Sequence, residues 1–159
     1  MDENNPVMKL CAEGMQAEGE GRSEAARQLY ERAWVESSDD FEASAAAHYL
    51  ARQRPSAEET FRWNEEALKR ADSAGTAGDE RVEIFYPSLY LNMGNSHEVL
   101  GDLDAARRCY ETAAKSAEDL PDDGYGNLVR RGIEGGLGRI GRREGCEGAA
   151  PGGVRRPDA

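Results

Sequence analysis

The chain has 159 residues, 38% of them hydrophobic and 32% charged, with a formal net charge of −11, which suits one polar, folded domain. That acidity speaks against nucleic acid as the main partner, because phosphate binding needs a basic footprint, and against docking on an anionic membrane surface. Three widely spaced cysteines without a C-x-x-C motif, no apolar run approaching a membrane span, and no basic-then-apolar leader at the N-terminus make a reducing compartment, the cytoplasm, the expected location.

Residues 1–6 read as a flexible N-terminus. The first element pair follows, with a turn at Gly21 and a second helix carried by "GRSEAARQLYERA" (21–33). Thirty-four residues after Gly21, Pro55 opens "PSAEETFRWNEEA" with the same order of turn residue, small polar cap, acids, aromatic stretch and Ala67. Ser56 with Glu59 fits a capping box. Glu58/Arg62, Glu65/Lys69 and Glu66/Arg70 stand acid-first at i,i+4, the signature of a solvated helix face. The stretch 72–87 holds about a dozen extra residues; Gly75 and Gly78 predict a loop there, and Arg81–Tyr86 an upstream extension of the next helix, with Pro87 near a kink or a helix start. The helix over about 87–100 then turns at Gly101 into a second helix from Leu103 to Glu118, capped by Asp102. Its phrase "GDLDAARRCYETA" (101–113) shares seven of thirteen positions with 21–33. Leu128, Val129, Ile133, Leu137 and Ile140 recur at helical intervals and predict a covering helix over 125–140. The segment 141–159, rich in Gly and Pro with no apolar period, reads as a disordered tail.

A repeat near 34 residues is the mark of stacked helical pairs. The third unit, "YLNMGNSHEVLGDLDAARRCYETA", resembles a tetratricopeptide repeat in Tyr90, Met93-Gly94, Gly101, Ala106, Tyr110 and Ala113. The first matches at Leu10, Gly14, Gly21, Ala26, Tyr30 and Ala33 and departs at Glu13 and Ala17. The second keeps Ala51 and Ala67. It has His48 in place of the small residue, and Thr60 and Asn64 in place of the Ala and the aromatic. The resemblance covers about 7–120. It implies an all-α, right-handed superhelical α-solenoid with repeats at about 7–40, 41–74 and 87–120, and with the capping helix the helical domain spans 7–140.

The resemblance also implies where a partner would sit: the concave surface lined by the first helix of each unit. By position that surface is Met8, Cys11 and Met15, then Glu42, Tyr49 and Arg52, then Leu91, Asn92, Asn95 and Glu98. Cys11 and Met15 stand where some members carry a basic clamp for a C-terminal carboxylate, so that mode is disfavoured. A protein or peptide partner is expected, in an adaptor or regulatory role, with no cofactor and no metal. The two histidines have no H-x-x-x-H or C-x-x-C company. His97 occupies a packing position, Cys11 and Cys109 suit small core sites, and Trp34 and Trp63 suit packing. Two rival readings remain at this level: a self-associating scaffold, which leaves a homodimer open, and an enzyme or ligand sensor built on a His97/Cys109 pocket.

Overall fold

The computed structural model describes residues 4–148. Among them the chain is all-helical: α1 (Pro6–Gly19), α2 (Ser23–Glu36), α3 (Asp40–Ala51), α4 (Ala57–Thr76), a 3-10 helix (Glu80–Phe85), α5 (Tyr86–Leu100), α6 (Leu103–Ser116) and α7 (Gly124–Gly148). The parts of the expected flexible N-terminus and disordered tail at 1–3 and 149–159 lie outside the described residues. No helix among the described residues is long and apolar enough to cross a membrane.

The helix starts are written in short polar side chains. Asn5 accepts the amides of Val7 and Met8 at 2.9 and 3.1 Å. Asp39 accepts Glu42 N–H at 2.7 Å, Ser56 accepts Glu59 N–H at 3.2 Å, and Asp102 accepts Ala105 N–H at 3.0 Å. Each satisfies one or two of the donors that a helix start leaves without a partner. Asp102→Ala is therefore expected to cost about 1 kcal/mol, read as a thermal midpoint lowered by roughly 2–4 °C.

The stops are equally local. Gly21 and Gly101 hold φ of 76° and 90°, in the left-handed region that glycine enters without a Cβ penalty. The amides that follow then reach back to the helix, Arg22 N–H to Ala17 O at 2.8 Å and Asp102 N–H to His97 O at 2.9 Å. The two copies of the repeated phrase thus begin with the same turn.

Successive helices pack on one another: α1 on α2, α3 on α4, α5 on α6, with each pair joined to the next through α2–α3, α4–α5 and α6–α7. The first helices of neighbouring pairs also meet at α1–α3 and α5–α7. The middle junction, α4 on α5, is built differently. There α4 runs 20 residues where α2 and α6 run 14, and the 3-10 helix is added before α5. These are the extra dozen residues. Gly75 lies inside α4 rather than in the expected loop, because the turn comes later, at Gly78 (φ 86°). Val82 of the 3-10 helix is 1% exposed and anchors the segment in the core.

The first and third units share a ring-on-glycine lock. Tyr30 and Tyr110 are fully buried. A Cβ on Gly14 would overlap the Tyr30 ring, and a Cβ on Gly94 would lie 2.6 Å from Tyr110 Cε1. Each ring therefore lies on the bare backbone of the partner helix, at a separation only glycine allows. The phenol groups are also satisfied. Tyr30 donates to Glu18 at 2.9 Å and Tyr110 donates to Asn95 at 2.7 Å.

α7 covers the last pair but differs from its expected form in two ways. It continues through 141–148, well past residue 140. Ile140 is fully buried on it, and Glu144 pairs with Arg107 of α6, so packing carries the helix onward despite its glycines. Those glycines have a use: a Cβ on Gly136 would lie 2.5 Å from Tyr110 Cζ, and one on Gly132 would lie 2.8 Å from a Leu91 methyl. Second, Leu128 is 66% exposed, so the covering face is Val129, Ile133 and Ile140 with half-buried Leu137. Of the three i,i+4 pairs expected on α4, Glu66–Arg70 closes at 2.8 Å. Neither of the others closes among the described residues.

Candidate functional site

At the middle junction, a cleft of about 280 Å³ opens between the end of α3, the first half of α4 and the second half of α5. Its buried floor is Ala51, Asn64 and Ser96. Its rim is Arg52, Ala57, Thr60, Asn92, Asn95 and Val99, of which Val99 is 71% exposed.

The cleft lies where the ring-on-glycine lock is reversed. Counting by the 34-residue period, Gly14 corresponds to His48 and Tyr30 to Asn64. The large group has moved to the first helix and the small one to the second. The His48 ring packs edge-on to Tyr49, with centroids 5.2 Å apart, and its Nδ1 lies 3.2 Å from Asn92 Nδ2. An amide nitrogen only donates, so Nδ1 is the acceptor and the ring proton sits on Nε2. Burial pushes the His48 pKa down to about 4, and the Arg52 charge adds to the shift. Asn64 continues the network, donating through Nδ2 to Ser96 Oγ at 2.9 Å and approaching the Asn92 carbonyl at 3.5 Å. Its Oδ1 is buried without a hydrogen-bond partner.

Three of the ten residues expected to face a partner line this cleft: Arg52, Asn92 and Asn95. Four others are core. Met8 is 2% exposed and Cys11 fully buried. Tyr49 stacks on Tyr30 with centroids 5.3 Å apart. Glu42 is buried as a fastener, accepting from Asn5 at 2.8 Å and from Ser38 N–H at 2.7 Å. Burial works to raise the pKa of Glu42, but these bonds outweigh it and hold the group below its ordinary value. Burial also pushes the Cys11 thiol and the Tyr49 phenol up to about 12. Met15 packs half-buried against the first core cluster. Leu91 packs against α7, and Glu98 is paired with Arg139 at 3.0 Å. Even Arg52 is engaged at the rim, 3.1 Å from Glu18.

α1 and α3 meet, and Met8, Cys11 and Tyr49, assigned to the surface by position, pack into the core clusters that these helices share. Reasoning by position missed Thr60, Asn64, Ser96 and Val99. The signal for them was present in the paired departures His48 and Asn64.

His97 packs edge-on to Phe61, with centroids 5.0 Å apart. Burial raises the Cys109 pKa, with Arg108 opposing and Asp102 assisting, which favours the protonated thiol rather than a nucleophile. Trp34 and Trp63 pack edge-to-face at 5.0 Å. Among the described residues no three His, Cys, Asp or Glu side chains gather as a metal site requires.

No protein-family model matches the chain, and no curated protein matches it.

Proposed function

We propose that the chain is a non-enzymatic protein-interaction module of the tetratricopeptide-repeat type, working as an adaptor, with a partner peptide entering the α3–α4–α5 cleft. One observation carries this reading. Gly14–Tyr30 and Gly94–Tyr110 are the same lock in the same register, and the unit between them departs from it at the cleft. A stacked-pair architecture displays its binding surface along one side and tolerates local change there. The cleft offers amides, hydroxyls and small apolar groups (Asn92, Asn95, Thr60, Ala57, Val99) with no paired acid and base for catalysis. Such a mixed surface suits peptide contact.

The test uses a photo-crosslinking residue placed singly at Val99, on the cleft rim, or at Val35, which is 80% exposed on α2. The Val99 position is expected to capture one defined peptide segment, mapped by mass spectrometry. Arg52→Glu should reduce that capture, and Val35 should give none of it. Equal capture at both positions, or none at Val99, overturns the reading.

A further inference from the structure

The extra dozen residues between the second and third pairs build a second groove, away from the α3–α4–α5 cleft. It holds about 710 Å³ between the end of α4, the 3-10 helix, the start of α5 and the turn that follows α6, and six of its eleven lining residues come from 72–87. Its apolar surface is Ile84, Leu120, Pro121 and the rings of Tyr86 and Tyr90, which stack with centroids 6.1 Å apart. Leu120 is buried, and Ile84 is 51% exposed, so the groove opens at an apolar side chain. Charge decides what fits there. Asp72, Glu80, Glu83 and Asp119 line the groove, and the last three make no hydrogen bond or ion pair among the described residues. Arg81, the cation of this lining, is held by Asp39 at 3.2 Å and by Asp79 at 2.6 Å, neither of which lines the groove. Tyr86 donates to Asp72 at 3.0 Å. Burial first, then that bond and the Asp72 charge, push the Tyr86 phenol up to about 12, so the ring stays neutral beside the carboxylates.

We infer that this groove binds an arginine-bearing segment of a partner protein, with an apolar side chain of that segment on Ile84, Leu120 and Pro121 and its guanidinium groups among the unpaired carboxylates. A metal ion is a poorer match, because among the described residues no three acids converge as its ligands. The negative charge is spread along the groove, which suits cations carried at intervals on one chain. Arginine suits it better than lysine. Its planar group pairs with a carboxylate through two N–H donors and also stacks on a tyrosine ring. The net charge of −11 draws such a segment toward the protein. None of the groove's residues lines the α3–α4–α5 cleft, so this inference goes beyond the peptide reading of that cleft and does not rest on it.

The probe is the tripeptide acetyl-Arg-Leu-Arg amide, titrated into the full chain while the amide and methyl spectra are followed. Saturable shifts are expected at Glu83, Ile84, Tyr90 and Leu120, in the millimolar range that suits so short a ligand. Binding should weaken about threefold at about 0.5 M salt, because the carboxylates are exposed. Acetyl-Arg-Ser-Arg amide should bind about tenfold more weakly, the apolar anchor being lost, and acetyl-Glu-Leu-Glu amide should give no saturable shift. Glu83→Gln combined with Asp119→Asn should weaken the arginine peptide about fivefold. Glu13→Gln combined with Glu58→Gln removes the same net charge from exposed places on α1 and at the start of α4, and should leave binding unchanged. All four side chains are exposed, so both double variants should keep the folded spectrum. No saturable shift, equal binding by the serine peptide, or an equal loss in the two double variants overturns the inference. So do the same shifts on simple dilution of the protein, which would put a second copy of the chain in the groove.

Discussion

Gly94→Ala is expected to destabilise the protein by about 2 kcal/mol, even though alanine is the better helix former. In an exposed helix interior the change would contribute about 1 kcal/mol in the favourable direction. Here the new methyl would sit 2.6 Å from Tyr110 Cε1. The ring cannot retreat, because a Cβ on Gly136 would already lie 2.5 Å from it on the other side, so the space between the two glycine backbones is filled by the ring alone. Overpacking of this kind costs about 3 kcal/mol at the upper end of its usual range, and the net is a loss. For a chain of this size the thermal midpoint should drop by roughly 4–8 °C. Tyr110→Leu, destabilising by itself, should be less so in the Gly94→Ala background, since a smaller side chain gives the methyl room. A stabilised Gly94→Ala, or full additivity between the two changes, would show that the ring does not bear on the glycine.

The second expectation concerns acid. Folding lowers the His48 pKa from its ordinary 6.5 to about 4. Between those values the unfolded chain takes up a proton that the folded chain refuses. The stabilising contribution is therefore complete above about pH 6.5, declines as the pH falls, and is gone by about pH 4. A shift of that size corresponds to about 3 kcal/mol. Carboxylates held below their ordinary values, such as Glu42 and Asp79, titrate below about pH 4.5 and leave the upper part of the window to His48. His48→Gln keeps an acceptor for Asn92 and cannot be protonated. Denaturant unfolding followed from pH 7 to 5 should fall steeply for the native chain and much less for His48→Gln. Parallel curves would mean that His48 titrates normally and is not enclosed.

How much of this was legible beforehand follows from which forces act locally. The outer units carry Gly14 with Tyr30 and Gly94 with Tyr110 at one spacing, so the recurrence was legible as a local pattern, while the contact of each ring with its glycine came with the structure. The caps at Asp102 and Ser56 were legible for the same reason: each bond spans three residues. Burial was not, since it depends on how far neighbouring pairs close. Met8, Cys11 and Tyr49 are surface positions in a register count, yet they are apolar or aromatic groups that gain by leaving water. α1 and α3 meet closely enough to let them. The length of α7 was hidden by its glycines, which lower helix propensity. Gly132 and Gly136 are what lets that helix reach Leu91 and Tyr110, and this appears only once three helices are assembled.

The reversal at His48 and Asn64 also bears on how such a chain can change over generations. In an array of equivalent hairpins a unit can be duplicated, dropped or shuffled, because every joint presents the same faces. Here the central unit is keyed the opposite way. At 48 and 64 the middle hairpin presents other groups than its neighbours do at the equivalent places, so it is not their equal in such an array.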